Sequence, residues 1–147
     1  MIVPVRKQDF EQLRKNKIQA LFIIGQEKRL PKNIPQINLG LTLAMQLKAM
    51  DVNARSEALR SLLQRNIDEM GTEVSLTHID ILFDPCWDIE DVIRQLQLSS
   101  RNHKLYVLWP GGLEKIDKAE QRLFYASTGE QDYQSFSFID YDDVYIY

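Results

Sequence analysis

The sequence predicts an α/β fold, a three-layer arrangement in which helices flank a mainly parallel sheet and C-terminal strands suited to antiparallel pairing close the domain. Three observations carry this reading. The run Ile18–Gly25 is short and nearly continuous in apolar residues, as a strand buried on both faces requires. Ala58, Leu59, Leu62, Leu63, Ile67 and Met70 recur at three- and four-residue spacing, the period of a helix with one apolar face. Between and beyond them, β-branched runs and helical periodicity alternate along the chain.

Taken in order, Phe10 and Leu13 give a weak helical stripe over residues 6–16, made amphipathic by Lys and Arg, which leads into the first strand at 18–25. Ile37–Leu43 alternates apolar residues with Asn38, Gly40 and Thr42 and reads as a half-buried strand that turns helical over 44–50. Asn53 is the expected N-cap of the long helix, and Gly71 ends it. Val74–Phe83 reads as one long strand stopped by Asp84-Pro85, with a short helix starting near Asp88. Leu105–Trp109 is a further strand before Pro110, Gly111 and Gly112. Leu123–Ala126 and Phe136–Tyr147, rich in aromatic and β-branched residues, are closing strands with a Ser-Thr-Gly-Glu turn over 127–130 between them. At 147 residues, with no repeat and no Gly/Ser linker, the chain suits one domain, 1–147.

A net charge of −3 gives no bulk reason to expect nucleic acid, but the charge is uneven. Arg6, Lys7, Arg14, Lys15, Lys17, Lys28, Arg29 and Lys32 crowd the first third, whereas Glu130, Asp132, Asp140, Asp142 and Asp143 lie near the end. Solvated faces are the simplest reading of both runs. The single cysteine, Cys86, excludes an intramolecular disulfide and fits a reducing compartment, with the cytoplasm as default. No apolar run approaches the ~20 residues that span a bilayer, so no membrane partner is expected.

The region after Gly25 is the most informative for function. A strand that serves a nucleotide runs into a glycine-rich loop whose N–H groups and lysine cradle phosphate. Here Gln26-Glu27-Lys28-Arg29-Leu30-Pro31-Lys32-Asn33-Ile34-Pro35 follows, with no second glycine, no Gly-Lys-Ser/Thr and two prolines that exclude a helix. Other candidates have structural alternatives that the sequence favours. Asp80 and Asp84 lie on one face if the strand continues through them, but Asp80 suits a strand-end surface acid and Asp84, before Pro85, a turn or cap residue. His78 and His103 lack a third metal ligand, and Cys86 lacks a basic partner. Ser99–Lys104 is a polar, basic surface turn. The surface positions best suited to contact a partner are Lys28, Arg29, Lys32, Arg101, Lys104, Tyr141 and Tyr145. No catalytic, cofactor or metal residue is assigned.

The blocks LTHIDILFDP (Leu76–Pro85), DVIRQLQLSSRNHKLYVLWPGG (Asp91–Gly112) and LFYASTGEQDY (Leu123–Tyr133), with INLGLTLAMQL (Ile37–Leu47), resemble the small P-loop-containing (BrxF-like) protein family of type 3 bacteriophage-exclusion (BREX) defence systems. The resemblance implies a P-loop-NTPase-like fold with a degenerate nucleotide site. Gly25 matches the end of the first strand, but the phosphate loop is missing. Thr77 falls where an acidic residue would hold magnesium, and Pro110 falls where a polar asparagine is expected. It further implies a cytoplasmic, non-catalytic accessory subunit without cofactor, among the protein subunits of an anti-phage complex: a larger ATPase, a methyltransferase and a phosphatase-like component. Two alternatives stay open. One is a diverged ATPase in which Lys28, Arg29 or Lys32 replaces the lysine and Asp80 or Asp84 holds the metal. The other is a DNA-binding accessory module using the basic N-terminal face, where neutralising Arg14, Lys15 and Lys17 together would abolish binding.

Overall fold

All five residues of Ala20–Ile24 are buried, and the sheet is built outward from them. The computed structural model describes residues 1–113, 116–126 and 129–147. Its elements are β1 (Ile2–Pro4), α1 (Lys7–Asn16), β2 (Ala20–Ile24), β3 (Gln36–Asn38), α2 (Leu39–Lys48), α3 (Val52–Met70), β4 (Glu73–Thr77), α4 (Val92–Ser99), β5 (Lys104–Leu108), β6 (Arg122–Tyr125), β7 (Gln134–Ser137) and β8 (Val144–Ile146). The fold is α/β. Six strands form a sheet in the order β1-β8-β2-β5-β4-β3, with every pairing parallel, and β6 and β7 form a separate antiparallel pair.

Strand register sorts the side chains into two layers. Leu21, Ile23, Leu105, Val107, Val74 and Leu76 face the larger core, under α2, α3, α4 and the β6–β7 pair. Phe22, Ile24 and Tyr106 face the other way and pack with Phe10 of α1 and Leu30 of the segment after β2. The connections obey the same division. From β1 to β2 and from β2 to β3 the chain moves toward one edge across the Phe22 face, and from β3 back to β8 it returns across the Leu21 face. A single hand of crossover requires this exchange of faces when the direction reverses.

Local chemistry explains where element boundaries depart from expectation. The strand expected over Ile37–Leu43 ends at Asn38, whose side chain accepts a hydrogen bond from Leu41 N (3.0 Å) and caps α2. Leu39, Leu43 and Leu47 then point inward at helical spacing, while Leu41 and Met45 stay exposed. Asp51, not Asn53, caps α3, accepting from Asn53 N at 3.3 Å.

The strand expected through Phe83 stops at Thr77, because His78 takes left-handed backbone angles (φ 55°, ψ 48°). Ile79–Phe83 winds instead into a 3-10 turn that buries Ile79, Leu82 and Phe83. The strand alternation that would place Asp80 and Asp84 on one face therefore does not apply. The helix expected near Asp88 starts at Val92, capped by Asp91. The chain opens with a strand that its short, proline-ended sequence does not announce. Of the closing strands, β8 joins the main sheet in parallel between β1 and β2, and only β6 and β7 pair antiparallel. In the turn expected over 127–130, Ser127 and Thr128 lie outside the described residues. Among the described residues no helix is long and apolar enough to cross a membrane.

Candidate functional site: a filled crevice and a basic cleft

In an open parallel sheet, ligands enter beyond the carboxyl ends of two neighbouring strands whose connections leave toward opposite faces. Here those strands are β2 and β5. The crevice between them is lined by Gly25, Gln26, Arg29, Gly112 and Leu113 and measures only about 280 Å³. After β5, Trp109 N donates to Ile24 O (2.9 Å), and Gly111 and Gly112 adopt φ of 77° and 73°, which turns the chain back over β2. Leu113 is thereby laid on Gly25, where an added Cβ would lie 2.7 Å from Leu113 Cδ1. The chain's own leucine takes up part of the space that a phosphate loop would enclose and leaves only this small crevice.

The other expected nucleotide positions have structural partners. Thr77 is buried, donates through its hydroxyl to Ile37 O (3.4 Å) and lies 3.0 Å from His78 Nδ1. Asp80 and Asp84 line a shallow open depression with Tyr125, Glu130 and Asp132. Asp84 accepts from Cys86 N (3.0 Å) and caps the short turn Pro85–Trp87. Cys86 is exposed. Packing around its sulfur, followed by the hydrogen bond and charge of Asp84, pushes its thiol up to about 11. His103 places Nδ1 2.7 Å from Gly71 O and Nε2 2.8 Å from Asp68 Oδ1, tying the end of α3 to the start of β5. Among the described residues no group of three or more His, Cys, Asp and Glu is placed to hold a metal ion.

A basic cleft lies on the Phe22 face, between α1 and the segment after β2. Lys7, Arg14, Lys28, Arg29 and Lys32 line a cleft of about 570 Å³, with Glu11 as the only acidic side chain on its wall. Its apolar lining comes from Phe10, Leu30, Pro31 and Tyr147. Tyr147 stacks on Phe10 (centroids 4.1 Å apart, planes at 15°), and the Arg29 guanidinium sits over the Tyr147 ring at 4.8 Å.

Arg14 is held from beneath. Its Nε donates to Tyr106 Oη (3.0 Å), Tyr106 Oη donates to Glu73 Oε1 (2.8 Å), and Lys104 Nζ lies 3.2 Å from the same oxygen. Burial raises the Glu73 pKa, but the hydrogen bonds from Tyr106 and Lys104, with the charges of Lys104 and Arg14, outweigh it and leave the carboxyl below the ordinary glutamate value. Burial and the bond to Glu73 push the Tyr106 phenol far up, so it stays a neutral donor.

The residues singled out from sequence thus separate. Lys28, Arg29 and Lys32 converge on the cleft, joined by Lys7 and Arg14 from the basic N-terminal stretch. Arg101 lies in a different depression with Gln19, Gln97 and Asp142. Lys104 is engaged by Glu73 and donates to Arg14 O (3.0 Å). Tyr145 is half-buried, stacked on Phe22 with Lys17 over its ring. Tyr141 is a correction: it lies in the core, and its hydroxyl donates to Asp91 Oδ2 at 2.6 Å. Phe10, Glu11 and Tyr147 were not singled out as cleft residues, and Leu113 as a filler was missed. Only the helical spacing of Lys7, Phe10, Glu11 and Arg14 along α1 offered a signal.

Comparison of the chain with family models, curated proteins and solved structures finds no match.

Proposed function

We propose that this chain is a non-catalytic subunit of P-loop-like descent that acts through protein contacts, in a complex of the BREX-type anti-phage class that its sequence motifs resemble. The observation that carries the non-catalytic part is Leu113 packed on Gly25, in a crevice whose flanking strand lacks a phosphate loop. Thr77, engaged by Ile37 O, and Pro110, which has no polar side chain, agree with it. Protein contact is supported by α2, a helix apolar on both sides, with Leu41 59% and Met45 66% exposed beside the open edge strand β3.

The diverged-ATPase alternative is disfavoured because Lys28 and Lys32 line the cleft on the sheet face and not the strand-end crevice, and Arg29, which lines both, has its guanidinium over the Tyr147 ring. The DNA alternative is weakened because, on the basic N-terminal face, Arg14 is engaged by Tyr106 and Glu73 and Lys17 by Asp143. The test is calorimetry of the full chain with ATP, ADP and GTP in magnesium. No heat of binding is expected, and micromolar binding of any of them overturns the non-catalytic reading.

A further inference from the structure

We infer that the cleft between α1 and the segment after β2 is a docking site for an acidic segment of a partner protein that carries an apolar anchor between its carboxylates. The inference rests on the contact-subunit reading and specifies the chemistry of the contact.

Electrostatics selects an anion. Among the described residues, Lys7, Lys28 and Lys32 take part in none of the molecule's ion pairs or side-chain hydrogen bonds, as is also true of Lys15, Lys48 and Arg65 elsewhere; what distinguishes the three is that they line one cavity. Glu11, the one acid on the wall, is directed to Arg14 at 3.4 Å. Three lysines that converge on one concavity, where the one acidic side chain is turned to Arg14, raise the local potential and favour an anionic occupant. Arg14 beneath them is already paired with Glu73 and Glu11, so the charge that selects the occupant is that of the three lysines.

The rest of the lining selects a peptide over a nucleic acid. Pro31 and the half-buried Tyr147, backed by the buried Phe10 and Leu30, supply a small apolar surface for which a phosphate backbone has no use. Bases would need a free aromatic face, and the Tyr147 ring is already covered by Phe10 and by Arg29. The remaining cations are lysines, point charges without the planar fork that reads phosphate bidentately, and Arg29, the exception, is committed to the ring. A chain of carboxylates with one aliphatic or aromatic side chain uses both kinds of lining: the lysine ammonium groups, and the exposed parts of Pro31 and Tyr147, for which an apolar side chain needs no free ring face.

The probe is a short fluorescein-labelled synthetic peptide of alternating Glu and Asp around a central Leu-Phe pair, titrated with the full chain by fluorescence anisotropy. Saturable binding is expected, weakened at least about tenfold by Lys28→Glu with Lys32→Glu and also weakened by added salt. Arg101→Glu, in a separate depression, leaves it unchanged. Replacing the Leu-Phe pair with Gly-Ser weakens it as well. Lys28→Gln with Lys32→Gln, checked by circular dichroism, repeats the test without charge reversal. No binding, binding indifferent to both lysine pairs, equal binding of the Gly-Ser peptide, or tighter binding of duplex DNA or tripolyphosphate at the same lysines each overturns the inference. ATP binding that survives the lysine substitutions would overturn the contact-subunit reading instead, and the peptide result would stand separately.

Discussion

Leu113 occupies the space that a side chain at Gly25 would need, with its Cδ1 2.7 Å from where the Cβ would stand. The two residues come from segments that leave neighbouring strands toward opposite faces, so their contact closes the sheet at the point where a ligand would enter. Gly25→Ala must therefore displace Leu113, and overpacking of this kind costs about 1–2 kcal/mol. The displaced atoms belong to a flexible side chain, so Leu113→Ala should relieve the clash. In urea denaturation, the double variant should lose less stability than the sum of the singles by at least ~0.5 kcal/mol. Additive losses would mean that Leu113 does not rest on Gly25.

Tyr106 connects the floor of the basic cleft to the far end of the sheet through Glu73. Tyr106→Phe keeps the ring stacked on Phe22 but removes a donor from Glu73 and an acceptor from Arg14, and should cost about 1–2 kcal/mol. The pH dependence follows from the direction of the Glu73 shift. Its folded pKa lies below the ordinary value of 4.5, so the unfolded chain takes up the proton first as pH falls. The stabilisation is complete above 4.5 and is lost as pH drops through the lower folded value. Glu73→Gln should flatten this part of the stability curve, measured by urea midpoints from pH 6 to pH 3 at steps of about half a unit. An unchanged slope would remove Glu73 from the network.

The sheet was legible where a strand is buried on both faces, because the apolar runs Ile18–Gly25 and Leu105–Trp109, which overlap the strands Ala20–Ile24 and Lys104–Leu108, need no partner in sequence to be read. Strand order was not legible, since each parallel pairing joins residues far apart and periodicity carries no such information. β3 was overextended because Asn38 and Gly40 look like the polar half of an alternation, when Asn38 is a cap. Likewise, alternation from Val74 onward hid the reversal at His78, a backbone angle that a histidine does not advertise. At the site, Lys28, Arg29 and Lys32 could be read as a charged loop because they are contiguous. Their meeting with Lys7 and Arg14 depends on α1 and this segment packing on the same sheet face. Tyr141 was read as surface because its aromatic, acidic neighbourhood in sequence gives no sign of Asp91, 50 residues away.

That pair gives a stability prediction. Asp91 caps α4 through Oδ1, which accepts from Arg94 N at 2.8 Å, while Oδ2 accepts from Tyr141, and Arg94 lies over the Tyr141 ring at 4.7 Å. Tyr141→Phe removes one bond and should cost about 1 kcal/mol, whereas Asp91→Ala removes the cap as well and should cost about 2 kcal/mol. Asp91→Asn, which can still cap, should fall between them. The order can be read from thermal midpoints, and a neutral Tyr141→Phe would return the residue to the surface role expected from sequence.

Cys86 supplies a chemical prediction, because its exposure and its reactivity should disagree. The residue is exposed, yet the packing around its sulfur and the adjacent Asp84 carboxylate hold the thiol at about 11, against 9.0 for an unperturbed cysteine. At pH 8 the thiolate fraction is then about a hundredfold lower than in a free cysteine. The intrinsic nucleophilicity of the rarer thiolate rises with its pKa and recovers about half of that on a logarithmic scale, which leaves alkylation about tenfold slow. Iodoacetamide labelling at pH 8, followed by mass spectrometry against a free-cysteine peptide, measures it. Asp84→Asn removes the charge beside the sulfur and should speed labelling severalfold, although the asparagine still caps the Pro85–Trp87 turn. Labelling as fast as the free peptide would show that neither the packing nor Asp84 governs this thiol.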